Sequence, residues 1–500
     1  MRSLRFMFIR QTQTRSNSDG VSYFTHRLVQ SRRVGRKVSQ HTLLNLGSNF
    51  DLPVEAWPEL CTRIEQILNS ESPLFTVDAA IEQSAQHIYS QIIARRSELQ
   101  TLGNEQTPHF DEVDIDSLQQ IKPRSVGAEH VALETLKELQ IPQILEQAGF
   151  SASQQAEALA NIIGRMCAPR SERATEEWLK KKSALGELLK HDFTPMPLMQ
   201  LYRASDRLLK KKDFIEEQVF ERVQDIFHFT PTITLYDLTN TYMEGNALRN
   251  PKAKRGRSKE KRSDCPLLTL GLTLDASGFV RHSKVFDGNV SEGGTLQEML
   301  RQLQAPDGAL VIMDAGIASE ENLQWLTTHH YKYLVVSRER KRDIDLTWRY
   351  QPQPASKQTH PGVYKLRTTL TDMTDETLWR TYTMLTDLES VFRSLKSELG
   401  LRPVYHHKED RCDGHLFITV LAYQAVQVIR RKLKEHGINE SWATLREKLE
   451  RQYRITATFK QRDGKTLHIR QATRPEEELA NIYAKLRINP APGGLQKMTI

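Results

Sequence analysis

Two aspartates at the ends of apolar, strand-like runs constrain this chain more than any other feature. Asp237 closes the run Thr232-Ile-Thr-Leu-Tyr-Asp237, and Asp314 closes Ala309-Leu-Val-Ile-Met-Asp314. The second run is continuously apolar, so it reads as a central strand buried on both faces. A carboxylate at the end of such a strand is costly unless it is paired, hydrogen-bonded or bound to metal. A third acid, Glu389, falls on an amphipathic stretch. There Leu388, Phe392, Leu395 and Leu399 recur at i, i+4, i+7 and i+11, the spacing of a core-facing helix. Glu389, Arg393 and Lys396 flank that stripe, and Gly400 and Pro403 end it. The plain alternative is an i,i+4 Glu389–Arg393 surface pair worth only about 0.3–0.5 kcal/mol.

Five hundred residues exceed one compact core, which predicts two to four domains. Residues 1–50 read as a three-stranded meander turning at Asn17-Ser-Asp-Gly20. It carries Arg27, Arg32, Arg33, Arg36 and Lys37, either a polyanion-facing surface or a solvated edge. Residues 51–125 read as helices near 55–70 and 76–100, then a linker. Residues 126–228 read as helices separated by Gly149, Pro169 and Pro195–Pro197, with basic clusters at Lys180–Lys182 and Lys210–Lys212. That part is expected to be a helical DNA-binding module, with a charged-faced bundle as the alternative.

From Thr232 the texture changes to strands. Ile233–Leu238 is followed by a hairpin, Leu267–Asp275 and Phe279–Phe286, and then by Leu310–Asp314. A helix at Ser319–Thr328, a strand at Tyr331–Ser337 and a helix from Asp375 to Leu399 complete the series. This order predicts an α/β fold class with a ribonuclease H-like mixed sheet over 229–435. The apolar stretch Leu416–Ile429 is expected to cover that sheet. Residues 436–500 form a C-terminal region with a hairpin, Ile455–Ile469, and a helix near 475–487.

The net charge of +8 suits a polyanionic partner. Cys61, Cys167, Cys265 and Cys412 are scattered, so neither a zinc knuckle nor a disulfide framework is suggested and reduced cytoplasmic thiols are expected. No run of 18 apolar residues occurs, which predicts no membrane span. The apolar stretch near the N-terminus is broken by arginine, a poor secretion signal. Neither a Gly-x-Ser-x-Gly nor a P-loop pattern is present to suggest another chemistry.

Adjacent strands would bring Asp237 and Asp314 together. Carboxylates ~5 Å apart repel by roughly 3 kcal/mol at an effective dielectric of 20, and a divalent cation turns that repulsion into ligation. Three such acids suit two Mg²⁺ ions, with Mn²⁺ as a substitute, and hence in-line phosphoryl transfer to water or a DNA 3′-hydroxyl. Between the first two acids lies a basic loop with Arg249, Lys252, Lys254, Arg255, Arg257, Lys259, Lys261 and Arg262. It is expected to hold the DNA backbone, the alternative being a solvated arm. His406, His407 and His415 read as structural, Asp287-Gly-Asn289 as a turn, and Trp325 and Trp348 as packing residues.

These segments resemble DDE transposases of bacterial insertion sequences. The residues that carry the resemblance are Tyr236-Asp-Leu-Thr-Asn-Thr-Tyr242, Lys254-Arg-Gly-Arg-Ser258, Phe286-Asp-Gly-Asn-Val-Ser-Glu292, Met313-Asp-Ala-Gly316 and Phe392-Arg-Ser-Leu-Lys-Ser397. The resemblance implies that Asp237, Asp314 and Glu389 are the catalytic, metal-holding triad. It also implies binding of terminal inverted repeats and target DNA, a homodimeric synaptic complex, no membrane, and a nucleoid-associated place in a bacterial cytoplasm. One subgroup carries a Tyr-Arg-Glu-Lys signature. Tyr382, Glu389 and Lys396 sit at its spacings, while Leu385 stands where it has arginine. By the resemblance, Tyr382 and Lys396 contact phosphate, and Arg380 or Arg393 would stand in for the arginine that Leu385 replaces. The interval Ala315–Leu388 is short for the family, which usually inserts a strand-rich segment there. The alternative function is therefore a shortened, catalytically impaired copy that only binds DNA or inhibits intact enzyme.

Overall fold

The computed structural model describes the chain except residues 1–4, 16–21, 35–36, 48–49, 51, 69–76, 87, 90–91, 93–110, 229–232, 257–261, 263, 304–306 and 337–365. It divides into two compact units, Met1–Glu112 and Val113–Ile500.

In the first unit, β1 (Arg5–Arg15), β2 (Ser22–Val34) and β3 (Lys37–Gly47) form an antiparallel sheet in sequence order. Met7 and Ile9 alternate onto one face and join Leu28 and Leu44 in a core completed by Leu60, Cys61 and Ile64 of the helix Trp57–Leu68. Arg27 points to solvent. The expected turn at Asn17–Gly20 and the linker residues 103–110 lie outside the described residues.

The second unit begins with a strand where the sequence suggested a linker. β4 (Val113–Ser125) pairs with β11 (Tyr453–Gln461) of the C-terminal region. With β12 (Thr466–Ala472) and β13 (Gln496–Thr499) they make an antiparallel sheet ordered β13-β12-β11-β4. β4 is mostly exposed, and the alternation of Val113-Asp-Ile-Asp116 is not sustained along the rest of the strand, so its pairing was not legible locally.

The larger sheet is ordered β10-β9-β8-β5-β6-β7, comprising β5 (Ile233–Tyr242), β6 (Leu267–Leu274), β7 (Val280–Asp287), β8 (Leu310–Met313), β9 (Lys332–Val336) and β10 (Leu366–Thr368). β5, β6 and β7 pair antiparallel, whereas β8 joins β5, and β9 joins β8, in parallel. The fold is thus mixed α/β. One face of this sheet presents Leu235, Leu270, Leu272, Ile312 and Leu334 to a large helical core. The other presents Tyr236, Val311, Met313 and Val335 to the helices Leu296–Arg301 and Glu320–Thr328. Period-two alternation sends neighbouring residues to opposite cores.

The helix Glu409–Glu435 runs through the larger core. It is long and apolar enough to cross a membrane, but 89% of its apolar window is buried inside the fold. A helix apolar on all sides needs such burial. It docks on the β6–β7 hairpin through polar contacts. Gln424 donates to the Val280 carbonyl at 2.6 Å and accepts from the Val280 amide at 3.1 Å. The Tyr423 hydroxyl donates to the Gly278 carbonyl at 2.9 Å. Gly414 lets this helix cross Leu198–Lys210 closely, since a Cβ there would lie 2.4 Å from Ser205 Oγ. Ser151, Ser171, Ser319, Thr374 and Ser441 cap the N-termini of five further helices, each worth about 1 kcal/mol.

The hairpin turn carries a measurable cost. Asp275 accepts from the amides of Ser277 (3.1 Å) and Phe279 (2.7 Å), and Gly278 takes a φ of 79°. Burial pushes the Asp275 carboxyl up to about 6, outweighing those two hydrogen bonds. The folded state therefore binds this proton more tightly than the unfolded chain. Stability is favoured below about pH 4 and declines as pH rises through about 6. Asp275→Asn keeps an oxygen acceptor and removes the charge. In chemical denaturation at pH 8 it should be more stable than wild type by about 3 kcal/mol, a difference that vanishes near pH 4. A less stable variant at pH 8 would refute this account.

Candidate active site

The parallel ladder between β5 and β8 places the two aspartates. Its register pairs Leu235 with Ile312 and Tyr236 with Met313, and ends there. Asp237 and Asp314 are the next residue on each strand. They occupy neighbouring positions about 4.8 Å apart across the ladder. By alternation both belong on the face of Leu235 and Ile312, towards the helical core. Asp237 does not end its strand, as the sequence suggested. β5 continues to Tyr242, paired with β6, and it is β8 that stops. Asp237 is half-buried and Asp314 exposed, so Asp314 carries little of the desolvation cost expected for a buried strand end. Each carboxylate accepts from the following amide at 2.7 Å, Leu238 for Asp237 and Ala315 for Asp314.

Glu389 lies on the helix Leu385–Arg393, which packs against β5. Val391, Phe392, Leu395 and Leu399 enter the same core as Leu235 and Ile312, leaving Glu389 and Arg393 exposed. The side chain of Leu388 lies outside the described residues. The single helix expected over 375–399 is instead Asp375–Thr383, Leu385–Arg393 and a π turn at Ser394–Glu398. The π turn is closed by the Leu399 amide on the Ser394 carbonyl at 3.1 Å and held by Arg446 on the Glu398 carbonyl at 3.2 Å. An extra residue in this turn changes the angular relation on which the expected Glu389–Lys396 alignment rested, and Lys396 is half-buried. Glu389 and Arg393 are both exposed one turn apart, an arrangement compatible with the site and with the surface-pair alternative alike. Tyr382 is half-buried, packed against the core and near the Trp379 ring (6.1 Å). Leu385 also packs on that core, a job an arginine at its place would do poorly.

An oxygen-only donor set, with two carboxylates in register and a third acid on a helix over the same face, fits a hard divalent cation. The three are not gathered into one cluster. Among the described residues, the groups whose ligand atoms lie within 4.8 Å of one another are Glu172–His406–His415 and Asp213–Glu216–His282. Each aspartate instead accepts from a backbone amide.

Neither of the other groups suits a metal. Arg165 donates to His415 Nδ1 at 3.0 Å, and His415 Nε2 faces the Gly400 carbonyl at 3.3 Å, so both ring nitrogens are engaged. Burial and the Arg165 charge push His415 well below the usual imidazole range. Burial raises the Glu172 carboxyl, but the hydrogen bond and charge of His406 with the charges of His415 and Arg165 outweigh it and hold it below the usual range. In the second group the Lys212 ammonium sits 2.6 Å from Glu216.

Residues 228–425 match the Transposase DDE domain family. The matched segment contains Asp237, Asp314 and Glu389 together with most of the larger sheet. The match supports a DDE transposase. No curated protein matches the chain by sequence. A solved piggyBac transposase synaptic complex with hairpin DNA is 11% identical, with a TM-score of 0.33, covering 68% of this chain and 82% of that chain. That likeness is too distant to bear on fold or chemistry.

Within the matched segment, the basic stretch divides in two. Lys254 and Arg255 are exposed, as is Arg249, whereas Arg257 and Lys259 lie outside the described residues. Lys252 is held by Asp413 (2.6 Å) and Glu409 (2.9 Å), and Arg262 by Asp264 (2.9 Å). The stretch does not leave the sheet at once, because Lys254 exchanges two backbone hydrogen bonds with Leu267 at 3.2 and 2.8 Å. The turn at Asp287–Asn289 lies behind it. A Cβ on Gly288 would stand 2.0 Å from the Leu267 carbonyl oxygen and 2.6 Å from that of Lys254. Asp287-Gly-Asn289 is therefore a turn with a supporting role that sequence spacing had not revealed.

Two outcomes are expected. Thermal unfolding with and without Mg²⁺ or Mn²⁺ should show a stabilisation of wild type that Asp314→Asn loses; equal shifts in both would remove Asp314 from any cation site. Gly288→Ala should cost at least about 1 kcal/mol of stability through overpacking. An unchanged unfolding midpoint would show that the turn has room.

Proposed function

We propose that this chain is a DDE transposase that cleaves DNA at terminal inverted repeats and joins the ends to target DNA. Asp237, Asp314 and Glu389 act as its metal-holding carboxylates. The observation that carries the reading is the β5–β8 register, which sets two aspartates side by side on the face where the Glu389 helix packs. A ribonuclease H-like core is supported by the strand order, three antiparallel strands β5–β6–β7 flanked by parallel β8 and β9. Two bound Mg²⁺ ions would activate an attacking oxygen and neutralise the leaving one.

The chain's own residues supply position and charge. Asp237 and Asp314 face the scissile phosphate from the sheet, and Glu389 from the helix. Arg393, exposed one turn beyond Glu389, and Lys396 and Tyr382 beside it meet the flanking phosphates. Lys254 and Arg255, with Arg257 and Lys259 further along, hold the backbone. Two ends must be cut together, so the working form is a homodimer on DNA, in a bacterial cytoplasm with the nucleoid. A second reading, a shortened copy that binds DNA without cutting it, is favoured by the short interval between Asp314 and Glu389.

The test is incubation of purified protein with labelled end DNA and Mg²⁺ or Mn²⁺. Nicked and joined products are expected from wild type and none from Asp237→Ala. Glu389→Gln should bind ends almost as wild type does and lose cleavage by at least about 100-fold. Binding without cleavage by wild type would select the second reading. Lost binding in Glu389→Gln would make the glutamate structural.

A further inference from the structure

The second unit contains a basic groove that includes none of the triad. Its volume is about 880 Å³, and it lies between the four-stranded sheet and the helices Glu172–Lys181 and Leu185–Leu189. Six of its lining side chains are lysine or arginine and two are acids. One of the acids, Glu187, is already neutralised. Arg470 holds it at 2.6 and 2.9 Å and the buried Arg454 at 2.8 Å. Burial raises the Glu187 carboxyl, but these two arginines outweigh that and hold it below its usual range. The floor of the groove is thus internally balanced. On the rim Lys180 is paired with Glu176 at 2.7 Å, and Lys122, Arg124 and Lys190 stand against Asp192.

Two rim lysines share a backbone feature. Lys122 (φ 51°) and Lys190 (φ 53°) both adopt left-handed backbone conformations, which cost a side-chain-bearing residue roughly 1 kcal/mol. Lys122 sits where the β4–β11 register slips, and its carbonyl accepts from Arg470 at 2.9 Å. Lys190 ends the Leu185–Leu189 helix. Both are exposed, and among the described residues neither pairs with an acid. Glycine would serve either backbone position at lower cost, and at both it is lysine that carries a charge onto the rim. Lys180 lines the same groove beside Lys181 and Lys182, a cluster that sequence alone left open between a surface for DNA and a charged bundle face.

We propose that this groove is a second contact surface for the phosphate backbone of duplex DNA, gripping DNA away from the reacting phosphate. It rests on the transposase reading, which supplies a polyanion carrying one negative charge per ~1.7 Å of axis. A concave wall with fixed cations matches such an array better than it matches an isolated anion.

The double variant Lys122→Gly with Lys190→Gly removes two charges while relaxing two strained backbones, so its unfolding midpoint should equal or exceed that of wild type. Binding of the full chain to a fluorescent duplex of about 30 base pairs, in EDTA across a salt series, reads the result. The variant should bind roughly tenfold or more weakly near 0.1 M salt. Its log K against log [salt] slope should be shallower by about 1.8, or ~0.9 for each lost phosphate contact. Lys122→Arg with Lys190→Arg keeps the charge and should bind as wild type does. An unchanged slope and affinity in the glycine variant, with wild type binding and cutting DNA, would overturn the groove and leave the transposase reading standing. A wild-type protein that neither binds nor cuts DNA would overturn both.

Discussion

The parallel pairing of β5 with β8 is the constraint on which the candidate site depends. Its register stops at Tyr236 and Met313, so Asp237 and Asp314 fall side by side on one face. A slip of one residue would send one of them to the opposite core, among Leu323 and Leu326, where a carboxylate would be buried without a partner. The apolar residues on either side enforce the register. Leu235 and Ile312 fill one core while Tyr236, Val311 and Met313 fill the other. The aspartates keep their place because Thr234, Leu235 and Tyr236 on one strand and Leu310–Met313 on the other are buried.

The helical layer holds the third acid against that edge. After the π turn, the chain is tied back to β5 by Thr241 Oγ1 on the Leu401 carbonyl at 3.0 Å and by the Val404 amide on the Tyr242 carbonyl at 3.0 Å. Arg165 and His415 both reach the Gly400 carbonyl, from the helices Ala152–Cys167 and Glu409–Glu435. The buried Glu172–His406–His415–Arg165 group thus joins the helical module to the segment that ends the Glu389 helix. Breaking such a group is costly because it leaves a buried charge alone. Its value to the site is positional.

Positive charge is divided by the fold into cations that stabilise structure and cations that face outward. Lys252, Arg262, Arg454 and Arg470 are bound to acids of the same chain. Lys254, Arg255, Arg393, Lys122 and Lys190 are exposed. A net charge counts both kinds alike, although only the second can meet a polyanion.

The local pattern of the sequence determined much of the architecture. The central apolar run of β8, the β6–β7 hairpin, the meander of the first unit and the buried face of the Glu389 helix are all written in periodicity, because burial on one face or two imposes period two or 3.6. The three acids stood out for the same reason, as charges at breaks in apolar runs. Only the tertiary structure decided which strands are neighbours, and hence that Asp237 lies mid-strand opposite Asp314. It also decided that β4 completes a C-terminal sheet, that Leu395 and Lys396 sit in a π turn, and that Lys252 is spoken for while Lys122 is not. These depend on partners more than a hundred residues away, such as Gln461 for Val113 and Asp413 for Lys252. Pairing across the chain is set by how whole faces pack, and no local window carries that information.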